Sequence, residues 1–232
     1  MRVTRLTGVK PAVRSRLAAA GLLDRRSYAL HFLDKKLALH IKKRNGFFVE
    51  AGGNDGVSQS NTLYFERYMG WKGLLIEPVP KLAALCQLNR PRCRVVQAAL
   101  VDADCDQPEV EMTYCNLMSI VNGARGSAEA DDLHLRAGSR YLANSDSIES
   151  LTVPAQQLSQ LLSQHGDPHI DLLSLDVEGF EAQALRGLDL DRHAPDWILV
   201  EANDRSQVEA ALRGRYTVHD YLSFHDILYR RV

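Results

Sequence analysis

Residues 47–56 read Phe-Phe-Val-Glu-Ala-Gly-Gly-Asn-Asp-Gly. An aromatic and β-branched run that stops at glycines is a strand ending in a sharp turn. A helix start follows at Ser58–Thr62. Glycines let backbone approach a ligand closely, and a helix start offers unpaired N–H groups. Such a turn suits a nucleoside or dinucleotide, although the full G-x-G-x-x-G of pyrophosphate binders is not completed after Gly53 and Gly56. Taken alone, the glycines could also do no more than turn the chain.

Similar short apolar runs recur outward from this point: 73–77, 94–100, 170–176 and 197–201, with helix-like stretches at 61–69, 79–90, 155–165, 179–187 and 206–213 between most of them. Near-continuous apolar strands alternating with helices predict an α/β fold, a parallel sheet covered on both faces. Two segments depart from the rhythm. Glu109–Tyr114 alternates polar and apolar residues and predicts an antiparallel addition. Residues 122–150 are rich in Gly, Ser, Ala, Asn and Asp without long apolar periodicity, which predicts a lid or binding loop. The chain closes on two further strands, Tyr216–His219 and Ile227–Arg230, joined by a short turn.

Acidic residues fall at the predicted strand ends. Glu77, followed by Pro78, lies 21 residues beyond Gly56, where a carboxylate accepts hydrogen bonds from both ribose hydroxyls. No Arg stands beside it, which disfavours a 2′-phosphate. In an open parallel sheet, ligands sit at the C-terminal strand ends. Asp176 and Glu178 after the fourth strand, and Glu201, Asn203 and Asp204 after the fifth, are therefore expected on one rim. Converging oxygens suit a general base or a hard ion such as Mg²⁺. The plainer reading of Glu178 is a residue that favours the next helix dipole. The eight histidines are scattered without metal-ligand spacing and read as surface or packing residues.

Composition bounds the rest. The chain has 232 residues, 45% hydrophobic and 25% charged, with 15 Gly and 8 Pro, which excludes disordered, collagenous and disulfide-scaffold classes. No apolar run is long enough for a membrane-spanning helix. The opening decapeptide, Met1–Lys10, lacks the apolar core of a secretory signal, and Cys86, Cys93, Cys105 and Cys115 form no C-x-x-C pair. A reducing, cytoplasmic setting is expected. Charge is uneven: residues 1–46 carry 12 Lys and Arg against Asp24 and Asp34, about +10, while the remainder is about −11. A basic helical arm over 1–45, broken near 21–24, thus precedes a body over 46–232. The arm suits peripheral contact with an anionic membrane face, or docking on the acidic body. The acidic body would repel nucleic acid.

Val49–Gly56 with Ser60-Asn61-Thr62, then Gly70–Pro78, Asn89-Arg90-Pro91 and Asp171–Gly179, in order and at natural spacing, resemble the FkbM family of S-adenosylmethionine-dependent methyltransferases. The likeness spans about 46–203. Its one departure is Ala-Gly-Gly at 51–53, where Val-Gly-Ala is commoner. The resemblance implies a class I, Rossmann-like sheet of seven mostly parallel strands, the last antiparallel. It also implies O-methylation, commonly of a sugar or polyketide hydroxyl. Carried over, Glu50, Gly52, Asn54, Asp55 and Gly56 line the methionine end of the cofactor, Ser60, Asn61 and Thr62 flank it, and Glu77 and Pro78 hold the ribose. Gln97, Ala98 and Ala99 flank the adenine, and Asp176 sits near the sulfonium and the acceptor. Asp176 and Glu178 are then the catalytic candidates, and Asp176, Glu201 and Asn203 the candidate Mg²⁺ ligands, facing a small-molecule or glycan acceptor under the 122–150 lid. Oligomerisation is compatible with all of this. The alternatives are a non-catalytic scaffold of the same fold and an NAD-dependent oxidoreductase, the latter disfavoured by the missing third glycine.

Overall fold

The computed structural model describes residues 26–115, 118–124, 126–138 and 148–232. The expected arm falls largely outside that range, including the break near 21–24. Its described end is a 3₁₀ turn, Leu30–Phe32, running into helix α1, Leu33–His40.

The main sheet is built on β1 (Phe47–Ala51), which pairs in parallel with β2 (Lys72–Ile76) on one side and β8 (Leu172–Leu175) on the other. β3 (Arg94–Val96) extends it beyond β2, and β9 (Trp197–Glu201) beyond β8. β11 (Asp226–Arg231) then pairs antiparallel with β9, and β10 (Tyr216–Tyr221) antiparallel with β11. The order β10-β11-β9-β8-β1-β2-β3, with the last strand antiparallel to the parallel set, is the sheet expected from the resemblance.

Both faces are buried, and period two sorts the residues between them. Val49, Leu74, Ile76, Leu173 and Leu175 face one core, with Leu161 and Leu162 of α5 (Leu158–Gln164) and Leu185 of α6 (Glu181–Arg186). Phe48, Leu75, Leu172, Leu199 and Leu228 face the other, with Leu37 of α1 and Tyr64 and Phe65 of α2 (Leu63–Met69). Local chemistry ends the helices where sequence says it should. Gly70, at φ 75°, closes α2 in the left-handed conformation, and Pro80 opens α3, Pro80–Asn89. The Asp204 carboxylate accepts the Gln207 N–H at the start of α7, Arg205–Ala211.

Three expectations change. The run 94–100 is not one strand: it parts after Val96, and β4 (Ala99–Val101) joins a second sheet beside β7 (Glu149–Gln157). β5 (Glu109–Tyr114) is antiparallel as expected, but within that second sheet, order β4-β7-β5-β6, with β6 at Ile120–Val121. Within 122–150, Ala128–Gly138 is helix α4. Among the described residues no helix is long and apolar enough to cross a membrane.

Candidate functional site

The C-terminal ends of β1, β2, β8 and β9 open on a cavity of about 370 Å³. The turn after β1 makes its floor. Gly52 has φ 84°, and a Cβ there would overlap the Asp176 carbonyl oxygen, so this close approach of β1 to β8 admits only glycine. At the end of β2, Glu77 is buried, and its Oε2 accepts the Asn54 N–H at 2.8 Å while Oε1 accepts the Val79 N–H at 2.9 Å. Those two bonds hold the carboxylate in place with lone pairs to spare. Burial nonetheless pushes its pKa up to about 7 against their opposing effect. Apolar walls rise beside it from Ile76, Leu82, Ala98 to Leu100, and Met112.

At the other end of the cavity the β8 and β9 ends bring Asp176, Glu178 and Glu201 together, with carboxylate oxygens all within 4.8 Å of one another. Asp176 and Glu201 thus stand close enough to feel each other's charge directly. Burial, then each other's charge and that of Glu181 and Asp226 nearby, hold Asp176 well above the usual carboxylate range. Glu201 is pushed up to about 7, chiefly by burial. Two carboxyls so close cannot both ionise cheaply, so each one's charge disfavours ionisation of the other. The backbone around them is set by Glu181, whose Oε1 accepts the Val177 and Gly179 N–H groups at 3.1 and 3.0 Å. Glu178 itself sits at φ 56°, a conformation uncommon outside glycine.

The expected residues divide into two groups. Gly52, Asn54, Glu77, Pro78, Ala98, Ala99, Asp176, Glu178 and Glu201 line the cavity. Glu50, Asp55, Gly56, Ser60, Asn61, Thr62, Gln97 and Asn203 stand outside its lining. Glu50 lies on the Phe48 face of β1, beneath the α2 start. Its oxygens accept the Asn61 N–H at 2.7 Å, the Thr62 hydroxyl at 2.6 Å and the Ser60 hydroxyl at 3.0 Å, with Arg90 at 3.6 Å. Period two from Phe48 could have shown that direction in the sequence. Asp55 braces its own turn by accepting the Val57 and Ser58 N–H groups at 2.8 and 2.6 Å. Gly56 packs on Cys86 and Arg90, and Asn203 is exposed past β9, apart from the carboxylate group.

Sequence reasoning missed three contributors. Leu30 reaches the cavity wall because Ala29 bridges Gln59 in parallel. Met118, Ser119 and Val121, flanking and within β6, form a wall beyond the main sheet. Two buried or half-buried histidines, read as packing residues, meet the carboxylates: His134 of α4 lies 3.5 Å from Glu178, and His225 lies 3.2 Å from Glu201.

A family model described as the methyltransferase FkbM domain matches residues 50–228. No curated protein matches the chain significantly. Among solved structures, the chain is similar to the O-methyltransferase from Bacillus cereus in complex with SAH, at 12% identity and TM-score 0.46, covering 98% of this chain and 93% of that one. It is also similar to a TehB-like SAM-dependent methyltransferase from Corynebacterium glutamicum, at 14% identity and TM-score 0.44, covering 95% and 96%. Fibrillarin from Aeropyrum pernix with bound S-adenosyl-L-methionine gives 10% identity and TM-score 0.44, covering 82% and 67%.

Proposed function

This chain belongs to the FkbM methyltransferase family and is an S-adenosylmethionine-dependent methyltransferase, and from that premise we propose that it methylates a hydroxyl oxygen of a small-molecule or glycan acceptor. The observation that carries the reading is the close carboxyl pair Asp176–Glu201 lining the same cavity as Glu77.

The Glu77 end fits an adenosine. A buried carboxylate fixed by two backbone N–H groups accepts ribose hydroxyls without having to move, and the apolar wall over Ala98–Leu100 suits a flat base. Bound S-adenosylmethionine supplies an electrophilic methyl on a positively charged sulfur and leaves as a neutral thioether. The protein's own part is to hold an acceptor hydroxyl in line with that methyl and to take its proton. Glu201, pushed up to about 7, or Asp176, held well above the usual carboxylate range, would take that proton. The pair would take the hydroxyl proton as the acceptor oxygen gains the methyl. Glu178 adds negative potential beside the developing oxonium.

The triplet Asp176, Glu178 and Glu201 supports a second reading, since three oxygens within 4.8 Å suit a hard ion such as Mg²⁺. The ion would then hold the acceptor oxygen and lower its pKa. One experiment separates the readings: methyl transfer from labelled S-adenosylmethionine to hydroxylated acceptors by wild type and Asp176→Asn, with EDTA or with Mg²⁺. The base reading expects product in EDTA and a loss of at least about 100-fold in Asp176→Asn with SAH affinity kept. Full activity in Asp176→Asn overturns both readings, and activity only with Mg²⁺ favours the ion.

A further inference from the structure

Asn89-Arg90-Pro91 is part of the likeness to the family, yet the chemistry above makes no use of it. The run closes α3. Asn89 is the last helical residue, Arg90 leaves the helix at φ −122° and ψ 56°, and Pro91 disfavours helical backbone at the residue before it. Both side chains turn back onto the loop after β1. The Asn89 side-chain amide donates to the Asp55 carbonyl at 2.8 Å. The fully buried Arg90 guanidinium donates from Nη1 to the next carbonyl, that of Gly56, at 3.0 Å. It also reaches the Ser60 hydroxyl at 3.2 Å and the Thr62 hydroxyl at 3.1 Å, while Glu66 meets its Nε. The fit dictates the residue opposite: at Gly56, φ 81°, a Cβ would come within 2.8 Å of the Arg90 side chain and 3.0 Å of Cys86 Sγ.

That loop needs holding. Between residues 52 and 59, Gly52, Asn54, Gly56 and Gln59 have positive φ, at 84°, 48°, 81° and 61°. Such backbone is uncommon for Asn and more so for Gln, and it persists where surroundings over-determine it. Asn54 and Gln59 both line the cavity, and the Asn54 N–H is the one that fixes Glu77 Oε2. Glu77 therefore ties the loop to β2 on the cavity side, and Asn89 and Arg90 tie it to α3 from outside the lining. A pyrophosphate-type loop takes its shape from three glycines. Here, without the third, a helix end grips two consecutive carbonyls.

We propose that Asn89 and Arg90 are positioning residues for the cofactor. They clamp the strained loop in the shape that S-adenosylmethionine requires, so that binding need not order it. Neither side chain lines the cavity, so both act through the loop and not by contact. The inference rests on the reading of the Glu77 end as the cofactor's.

The test is calorimetric titration of the full chain with S-adenosylhomocysteine, with thermal unfolding and amide hydrogen exchange on the same variants. Asn89 is exposed, so Asn89→Ala and the near-isosteric Asn89→Asp should leave the unfolding midpoint within about 2 °C of wild type. Both lose the donor. Both should therefore weaken binding about threefold to tenfold, and speed exchange at the Gly56 to Ser58 amides while β1 and β2 keep their protection. Arg90→Lys keeps a charge beside Glu66 but not the fork, and should weaken binding further. Unchanged affinity in both Asn89 variants overturns the clamp. So does a loss that follows a fall in the unfolding midpoint, with exchange rising across the whole sheet. Glu77→Ala separates the inference from the reading beneath it. Affinity lost in Glu77→Ala but kept in Asn89→Asp sinks the clamp and spares the ribose contact; the reverse pattern keeps the clamp and removes Glu77 from the cofactor.

Discussion

A half-buried carboxyl with a raised pKa is a liability to the fold, and Glu201 makes the sign explicit. Unfolded, it releases its proton near 4.5; folded, at about 7. Between those values the folded state binds more protons than the unfolded chain, so stability falls as pH rises, and the whole penalty is in force above about 7. Glu201→Gln keeps the shape and can donate to Asp176, so urea unfolding should find it about 1–3 kcal/mol more stable than wild type at pH 8 and no more stable at pH 4. Equal stabilisation at both values would show that the gain has nothing to do with charge. Glu77 differs, because both its oxygens accept backbone N–H groups that an amide could not satisfy together. Glu77→Ala should weaken S-adenosylhomocysteine binding about tenfold to hundredfold by calorimetry. An unchanged affinity would remove Glu77 from the proposed ribose contact.

At the scale of elements, His134 of α4 reaches the rim of the main sheet: its Nε2 lies 3.2 Å from the Met118 carbonyl and 3.5 Å from the Glu178 carboxylate. His134→Ala should speed hydrogen exchange in α4 by about tenfold while β1 and β8 keep their protection. Uniform change across all three would mean that His134 serves global stability instead. The same helix marks where the sequence ran out. Its apolar residues are few, Leu133 is exposed, and the positions it buries include Asp131 and His134, so no continuous apolar face announces it. β1, β2, β8 and β9 were legible because strands buried on both faces are nearly continuous apolar runs. The break at Gln97-Ala98 was not, since an apolar run cannot tell that its pairing partner changes from β2 to β7. For the site, strand ends located Glu77, Asp176, Glu178 and Glu201. The residues brought by the second sheet and by the segment before α1 approach from far along the chain, and spacing carries no sign of them.

The whole molecule joins that amino-terminal segment to the proposed site. Asp34 is buried and accepts the Ser27 hydroxyl at 2.6 Å and the Tyr28 N–H at 2.7 Å, while its own burial raises its pKa. Fixed there, Ala29 bridges Gln59 and Leu30 closes the cavity wall. The arm thus divides near residue 26: Leu30 lines the cavity, and the sequence ahead of residue 26 carries Arg2, Arg5, Lys10, Arg14, Arg16 and Arg25 against Asp24 alone. That charge fits the proposed contact with an anionic membrane face. Two deletions divide these roles. Removing residues 1–25 should leave S-adenosylhomocysteine affinity within about twofold while abolishing flotation with anionic vesicles at low salt. Removing 1–32 should in addition weaken S-adenosylhomocysteine binding about tenfold, because it takes away Leu30 and the bridge to Gln59. If the shorter deletion already weakened cofactor binding, the basic stretch would belong to the site itself. If vesicle binding survived it, the charge would have to act by docking on the acidic body instead.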